Sequence, residues 1–242
     1  EMHYQPIHGL PGRQVDYYEA LARIRYNGTL IMPDAFLPVI SNRRLEAEFD
    51  LAVLNQVDAD LSSGLFPSGC GVSINLSAQS ISRPEVVSHL LELSRHHSRY
   101  PLMLEITETS LITQMAEVRT YLELLRTLRY RIAMDDFGTG YSPLRYLVDL
   151  PVDVVKFDIS LVKKLGQDNR AGQVVADFAR MMSDAGYALV AEGVETEAVL
   201  RKVESLGIAH VQGYLLGRPV PFAQLAATVS TQDAVAATTP AG

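Results

Sequence analysis

From about residue 71 onward the chain alternates between two hydrophobic patterns. Short apolar runs rich in β-branched residues occur at Gly71-Val-Ser-Ile-Asn75, Leu102-Met-Leu-Glu-Ile106, Arg131-Ile-Ala-Met-Asp135, Val154-Val-Lys-Phe157, Ala188-Leu-Val-Ala-Glu192 and Ala209-His-Val-Gln212. Between them the apolar positions fall at helical spacing. Val118, Leu122, Leu125 and Leu128 can share one helix face, and Gln173 to Ser183 and Glu197 to Leu206 read the same way. Strand-then-helix repetition predicts a parallel sheet with right-handed crossovers. Two further strands, near Tyr4–Ile7 and Val15–Leu21, bring the number to about eight, which in 242 residues predicts an α/β fold of the TIM-like (β/α)8 barrel class. No Pro/Gly/Ser-rich linker divides the middle, so residues 1–229 read as one domain. Residues 230–242, STQDAVAATTPAG, lack periodicity and read as a flexible C-terminal tail.

Each run carries a polar residue at or near its end: Glu19, Asn75, Glu105, Asp135, Lys156, Glu192 and Gln212. From Asn75 onward they are separated by 30, 30, 21, 36 and 20 residues, each close to one strand–helix unit. In a barrel the C-terminal strand ends open on one mouth. Side chains remote in sequence are therefore expected to meet in one cavity.

Composition narrows the chemistry. The chain has 28 acidic and 21 basic side chains, a net charge of −7, which argues against a groove for DNA or RNA polymers. Its single cysteine, Cys70, rules out an internal disulfide and a cysteine-based zinc site. No apolar run approaches the length of a membrane span, and residues 1–4 lack the features of a signal peptide. Tyr4-Gln5-Pro6-Ile7 already reads as the interior of a folded unit, as expected for a piece of a longer protein. Histidines lack metal-ligand spacing, and no G-x-S-x-G elbow is present.

Glu19, Asn75, Glu105 and Asp135 are hard oxygen donors, and Asp136 follows directly. Carboxylates gathered at one mouth repel one another unless a cation joins them, and an all-oxygen set selects Mg²⁺ or Mn²⁺. Asp135-Asp136 can bridge two ions if the strand end kinks, an arrangement suited to phosphoester cleavage. Lys156, inside an apolar strand, needs a partner. Asp158 on the same strand face could be that partner, or Lys156 could neutralise phosphate. Glu192 suits a general base. Glu195 could act beside it or cap the next helix. Tyr214 offers an aromatic face for a base, or plain packing. Arg23 suits a phosphate or guanine edge, or a surface salt bridge.

Taken together and in order, these residues resemble the EAL-domain cyclic di-GMP phosphodiesterases. The likeness is carried by Tyr4-Gln5-Pro6-Ile7, Glu19-Ala20-Leu21 with Arg23, Asn75-Leu76-Ser77, Glu105-Ile106-Thr107-Glu108, Asp135-Asp136-Phe-Gly-Thr-Gly-Tyr-Ser142, Leu150-Pro-Val-Asp153, Lys156-Phe157-Asp158, Ala191-Glu-Gly-Val-Glu-Thr196, and Gln212-Gly213-Tyr214 leading to Gly217-Arg218-Pro219. The resemblance implies a barrel whose first strand is antiparallel to the rest. It implies hydrolysis of cyclic di-GMP to linear pGpG with two Mg²⁺ or Mn²⁺ ions. Glu19, Asn75, Glu105 and Asp135 would hold one ion, and Asp135 and Asp136 the other. Glu192, Lys156 and Gln212 would serve catalysis, while Gln5, Leu21, Arg23 and Tyr214 would meet the nucleotide. Glu108, Asp158 and Glu195 would anchor loops. It further implies a homodimer, a larger multidomain parent and a cytoplasmic setting, either free or as the cytoplasmic domain of a membrane-anchored protein. A receptor that binds the nucleotide without cutting it and a scaffold that uses neither ligand are the other function classes. The complete acidic set favours the enzyme.

Overall fold

A computed structural model describes residues 1–107, 115–139 and 147–229. The chain opens with strands β1 (Met2–Gly9) and β2 (Gln14–Ala22), followed by a small hairpin, β3 (Ile24–Tyr26) and β4 (Thr29–Ile31). Asn27 and Gly28 turn this hairpin with φ of 47° and 78°, the positive pair that a two-residue turn of its twist requires. Helices α1 (Pro33–Arg43) and α2 (Glu46–Ser62) precede β5 (Gly71–Asn75), α3 (Ala78–Ile81) and α4 (Pro84–His96). Then come β6 (Leu102–Thr107), α5 (Met115–Thr127), β7 (Tyr130–Phe137), β8 (Val154–Phe157), α6 (Ile159–Leu165) and α7 (Arg170–Asp184). The chain continues through β9 (Ala188–Ala191), α8 (Glu197–Ser205), β10 (His210–Val211) and β11 (Val220–Pro221).

Strands β2 and β5 to β10 pair in parallel sequence, and β1 closes the ring by pairing antiparallel with both β2 and β10. The result is the eight-stranded TIM-like barrel, with β1 as its antiparallel member. Outside it the helices present their apolar stripes to the strands. Val118, Leu122 and Leu125 are buried on α5, and Val175, Ala179 and Met182 on α7. Helix ends are capped by side chains: Asn169 accepts from the Gly172 N–H, and Thr196 from the Val199 N–H. A second apolar cluster, Ile7, Tyr17, Met103, Ala133, Val154 and Val190, fills the barrel below its mouth. That filling makes the interior a packed floor rather than a pore, and polar side chains one step further along the strands are lifted to the rim.

Candidate functional site

Strand register brings the polar strand ends together. Gln5 lies opposite Glu19, Asn75 beside Glu105, and Thr107 beside Asp135. At the centre stands Lys156, 1% exposed. Its Nζ lies 2.6 Å from Glu105 Oε2, 2.8 Å from Glu192 Oε1, 3.1 Å from Asp135 Oδ1 and 3.6 Å from Glu19 Oε2. Two amides complete the knot. Asn75 Nδ2 donates to Glu19 Oε1 at 2.8 Å, and Gln212 Nε2 donates to Glu19 Oε2 at 2.7 Å and to Gln5 Oε1 at 3.1 Å. All seven strand-end groups read from the sequence thus form one connected cluster.

Adjacent strand residues ordinarily face opposite sides of a sheet. Asp136 escapes that rule because the β7–β8 register shifts between Met134 and Phe137, and its own φ is +55°. This kink brings the carboxylate oxygens of Asp135, Asp136 and Glu192 within 4.8 Å of one another.

Four carboxylates around one ammonium leave negative charge in excess. Burial pushes Glu192 up to about 8, with Asp135 and Glu19 adding to the rise and Lys156 opposing it. Burial, then the Glu19 charge, hold Glu105 well above the usual carboxylate range. Burial followed by Asp135 also raises Asp136. Glu19 goes the other way: burial works to raise it, but Lys156 and the Gln212 and Asn75 amides prevail. Burial alone would lower Lys156, yet Asp135, Glu105, Glu19 and Glu192 hold it charged and well above its ordinary range. Glu105 Oε1 and Asp135 Oδ1 are buried without a hydrogen-bond partner, the latter close to Lys156 but not aligned for one. Excess negative charge, orphaned carboxylate oxygens and an all-oxygen donor set fit a hard divalent cation.

The remaining candidates are spread around this cluster. Gln5 Nε2 donates to the Gly217 carbonyl at 3.0 Å. Leu21 lines a 470 Å³ cavity that runs from Glu19, Asn75, Asp135 and Asp136 to Phe36 and Leu37 on α1 and Phe49 on α2. Arg23 is buried, makes no ion pair among the described residues and donates from Nη1 to the Ala22 carbonyl at 2.8 Å. The surface salt bridge considered for it is therefore not its arrangement here. The Tyr214 ring is half exposed, with the Arg218 guanidinium 4.1 Å from its centroid. Asp158 does not pair with Lys156. The strand has ended at Phe157, and the Asp158 carboxylate caps α6 by accepting the Ser160 N–H at 2.8 Å. Glu195 is exposed just before α8, whose cap is Thr196. Glu108 and residues 140–142 of the Gly-rich segment lie outside the described residues. Sequence reasoning missed the contribution of α1 and α2, which wall the cavity, and with it the buried Asp50. The available signal was Asp50 itself, a carboxylate in the apolar stripe of Val53, Leu54 and Val57.

A family model described as the EAL domain matches residues 1–219. The chain belongs to the EAL domain family. Among curated members it is 33% identical over 225 residues to the probable cyclic di-GMP phosphodiesterase PdeA of Escherichia coli K12, covering 92% of this chain and 31% of PdeA. It is also 33% identical over 234 residues to the bifunctional diguanylate cyclase/cyclic di-GMP phosphodiesterase MucR of Pseudomonas aeruginosa, covering 95% of this chain and 34% of MucR. The EAL chain thus spans about a third of the length of these relatives. The solved PaMucR phosphodiesterase in complex with c-di-GMP superposes with a TM-score of 0.82 at 33% identity over 93% of each chain. The EAL enzyme Bd1971 in its cAMP- and cyclic-di-GMP-bound form gives 0.85 at 28% identity, covering 95% of this chain and 64% of that one. No helix among the described residues is long and apolar enough to cross a membrane.

Proposed function

We propose that this EAL domain hydrolyses one phosphodiester bond of cyclic di-GMP to give linear pGpG, using two Mg²⁺ or Mn²⁺ ions. The observation that carries the reading is the rim cluster, in which Glu19, Glu105, Asp135 and Glu192 all lie within 4.0 Å of the Lys156 Nζ and leave buried carboxylate oxygens without donors. Relatives named as cyclic di-GMP phosphodiesterases and a c-di-GMP complex with the same fold support the substrate.

Glu19, Asn75, Glu105 and Asp135 would hold one ion, and Asp135 with Asp136 the other. When bound, the ions supply Lewis-acid charge to the phosphate oxygens and lower the pKa of water. Glu192, beside Asp135 and Asp136, is placed to take a proton from the attacking water. Lys156 holds the carboxylates in place and offsets charge that builds on phosphorus oxygens. Gln212, bridging Gln5 and Glu19, orients groups at the rim. The Arg23 guanidinium suits a phosphate or a guanine edge, and Leu21 and Tyr214 offer apolar surface to a base. The greater length of the curated relatives supports reading this domain as the hydrolytic part of a larger protein.

Incubation of the pure domain with cyclic di-GMP and Mn²⁺, followed by chromatography, is expected to yield pGpG. Glu19→Ala, checked for a cooperative melt, is expected to abolish the product. Near-full hydrolysis by that variant sinks the ligand assignment, and nucleotide bound but uncut by the wild type selects a receptor instead. Mn²⁺ is also expected to raise the melting temperature of the wild type through linkage of binding to folding.

A further inference from the structure

Asp50 is a buried carboxylate that the chemistry above leaves unused. It is 4% exposed and lies on α2, on the face formed by Val53, Leu54, Val57 and Leu61 that packs against the barrel. A carboxylate there costs free energy unless hydrogen bonds meet it. Its Oδ2 accepts the Ser77 N–H at 2.9 Å. Ser77 is the N-cap of α3: its Oγ accepts the Ser80 N–H at 3.2 Å and lies 2.7 Å from Ser80 Oγ. Burial raises Asp50 above the usual carboxylate range, while the Ser80 hydroxyl and the Ser77 N–H and hydroxyl pull against that rise.

The position of this knot matters more than its existence. Ser77 follows Asn75 by two residues. Between them, the Leu76 N–H donates to the Glu105 carbonyl at 3.0 Å. The backbone leaving Asn75 is therefore tied to β6, which carries Glu105, and then to α2 through Asp50. The same Asn75 holds Glu19 at 2.8 Å.

We propose that Asp50 is a positioning residue for the metal site: it fixes the Asn75–Ser77 turn and thereby the Asn75 amide. This rests on reading Asn75 as a metal donor. Hydrogen-bond partners of ligand-bearing segments set ligand geometry, and their loss is felt as weaker metal binding.

The experiment measures the Mn²⁺ concentration that half-completes thermal stabilisation, and the concentration that half-saturates cyclic di-GMP turnover. Asp50→Ala is expected to raise both about tenfold. Asp50→Asn keeps an oxygen for the Ser77 N–H and is expected to stay within about threefold of wild type. In an Asn75→Ala background, Asp50→Ala is expected to add no further rise, because the two act through one contact. A folded Asp50→Ala with the wild-type Mn²⁺ requirement overturns the proposal, and so does full additivity with Asn75→Ala. If Asp50→Ala does not fold, Ser80→Ala loosens the same knot without stranding a charge. It is expected to raise the requirement about threefold, and no change overturns the proposal. A wild type that Mn²⁺ does not stabilise fails the metal-site reading itself, a result distinct from a stabilised wild type with an indifferent Asp50 variant.

Discussion

A lysine with 1% exposure is sustained only by what surrounds it, and Lys156 shows how. Removing an ammonium from water costs several kcal/mol, and four carboxylates from other strands and strand ends answer that cost. Strand faces repeat every second residue, so the sequence pattern points to Asp158, two residues away, as the partner. The barrel instead supplies partners from across its axis, which a one-dimensional pattern does not display. The arrangement is unbalanced in the negative direction, so loss of the lysine leaves buried acids facing one another. Lys156→Met in the presence of EDTA is expected to lose roughly 3–5 kcal/mol in urea denaturation. Added Mn²⁺ is expected to restore a larger part of the stability than it adds to the wild type. A variant as stable as wild type without metal would show that the carboxylates are already neutral.

At the level of elements, regularity decided what could be read in advance. Strands β5 to β9 stand out as short apolar runs because the barrel buries both of their faces, and helices α5, α7 and α8 keep a clean period because each buries one face against the strands. The chemistry at their ends was legible because barrel geometry assigns strand ends to one rim. Helices α1 and α2 were not legible. α1 contains Pro38, buries Phe36 and exposes the adjacent Leu37 and nearby Val39, so it has no tidy stripe. α2 sets Asp50 and Asp60 among its buried positions. Nor does periodicity reveal how short α6 supports the rim. Its Leu161 packs on Gly138, two residues beyond Asp136, and its neighbouring Ile159 on Gly193, next to Glu192. At Gly193 φ is +63°, and a Cβ would lie 2.5 Å from Ile159 Cγ1. Gly193→Ala therefore meets both a backbone cost of about 1–3 kcal/mol and a clash. Gly186, at φ +92° with nothing near its Cβ position, meets the backbone cost alone. Thermal melts are expected to show the larger loss for Gly193→Ala, and turnover is expected to fall only there. Equal losses and equal turnover would mean that Ile159 yields without moving Glu192.

Across the whole molecule the barrel separates two polar layers with an apolar one. The acidic rim lies above Ile7, Tyr17, Met103, Ala133, Val154 and Val190. On the far side of that layer, His210 Nε2 sits 3.3 Å from Asp16 Oδ2, with the Arg131 charge acting on the ring and the Tyr17 ring 6.4 Å away. Because the layers are separate, the pH response of the floor can be measured without that of the site. Burial holds His210 below its ordinary 6.5, and Arg131 adds to this, while Asp16 pulls upward without prevailing. The fold therefore prefers the neutral ring. Its contribution to stability is fully present above pH 6.5 and is lost as pH falls from there through the folded-state value, because the unfolded chain takes up the proton first. Other groups titrate in the same range, Glu192 with the opposite sign, so the informative quantity is a difference between two proteins. His210→Gln keeps a polar side chain and removes the titration. Between pH 7 and pH 5 the wild type is expected to lose more unfolding free energy than this variant, read from urea midpoints at each pH. Parallel curves would show that the ring takes up its proton in the fold as readily as in the unfolded chain, and that Asp16 fully offsets burial and Arg131.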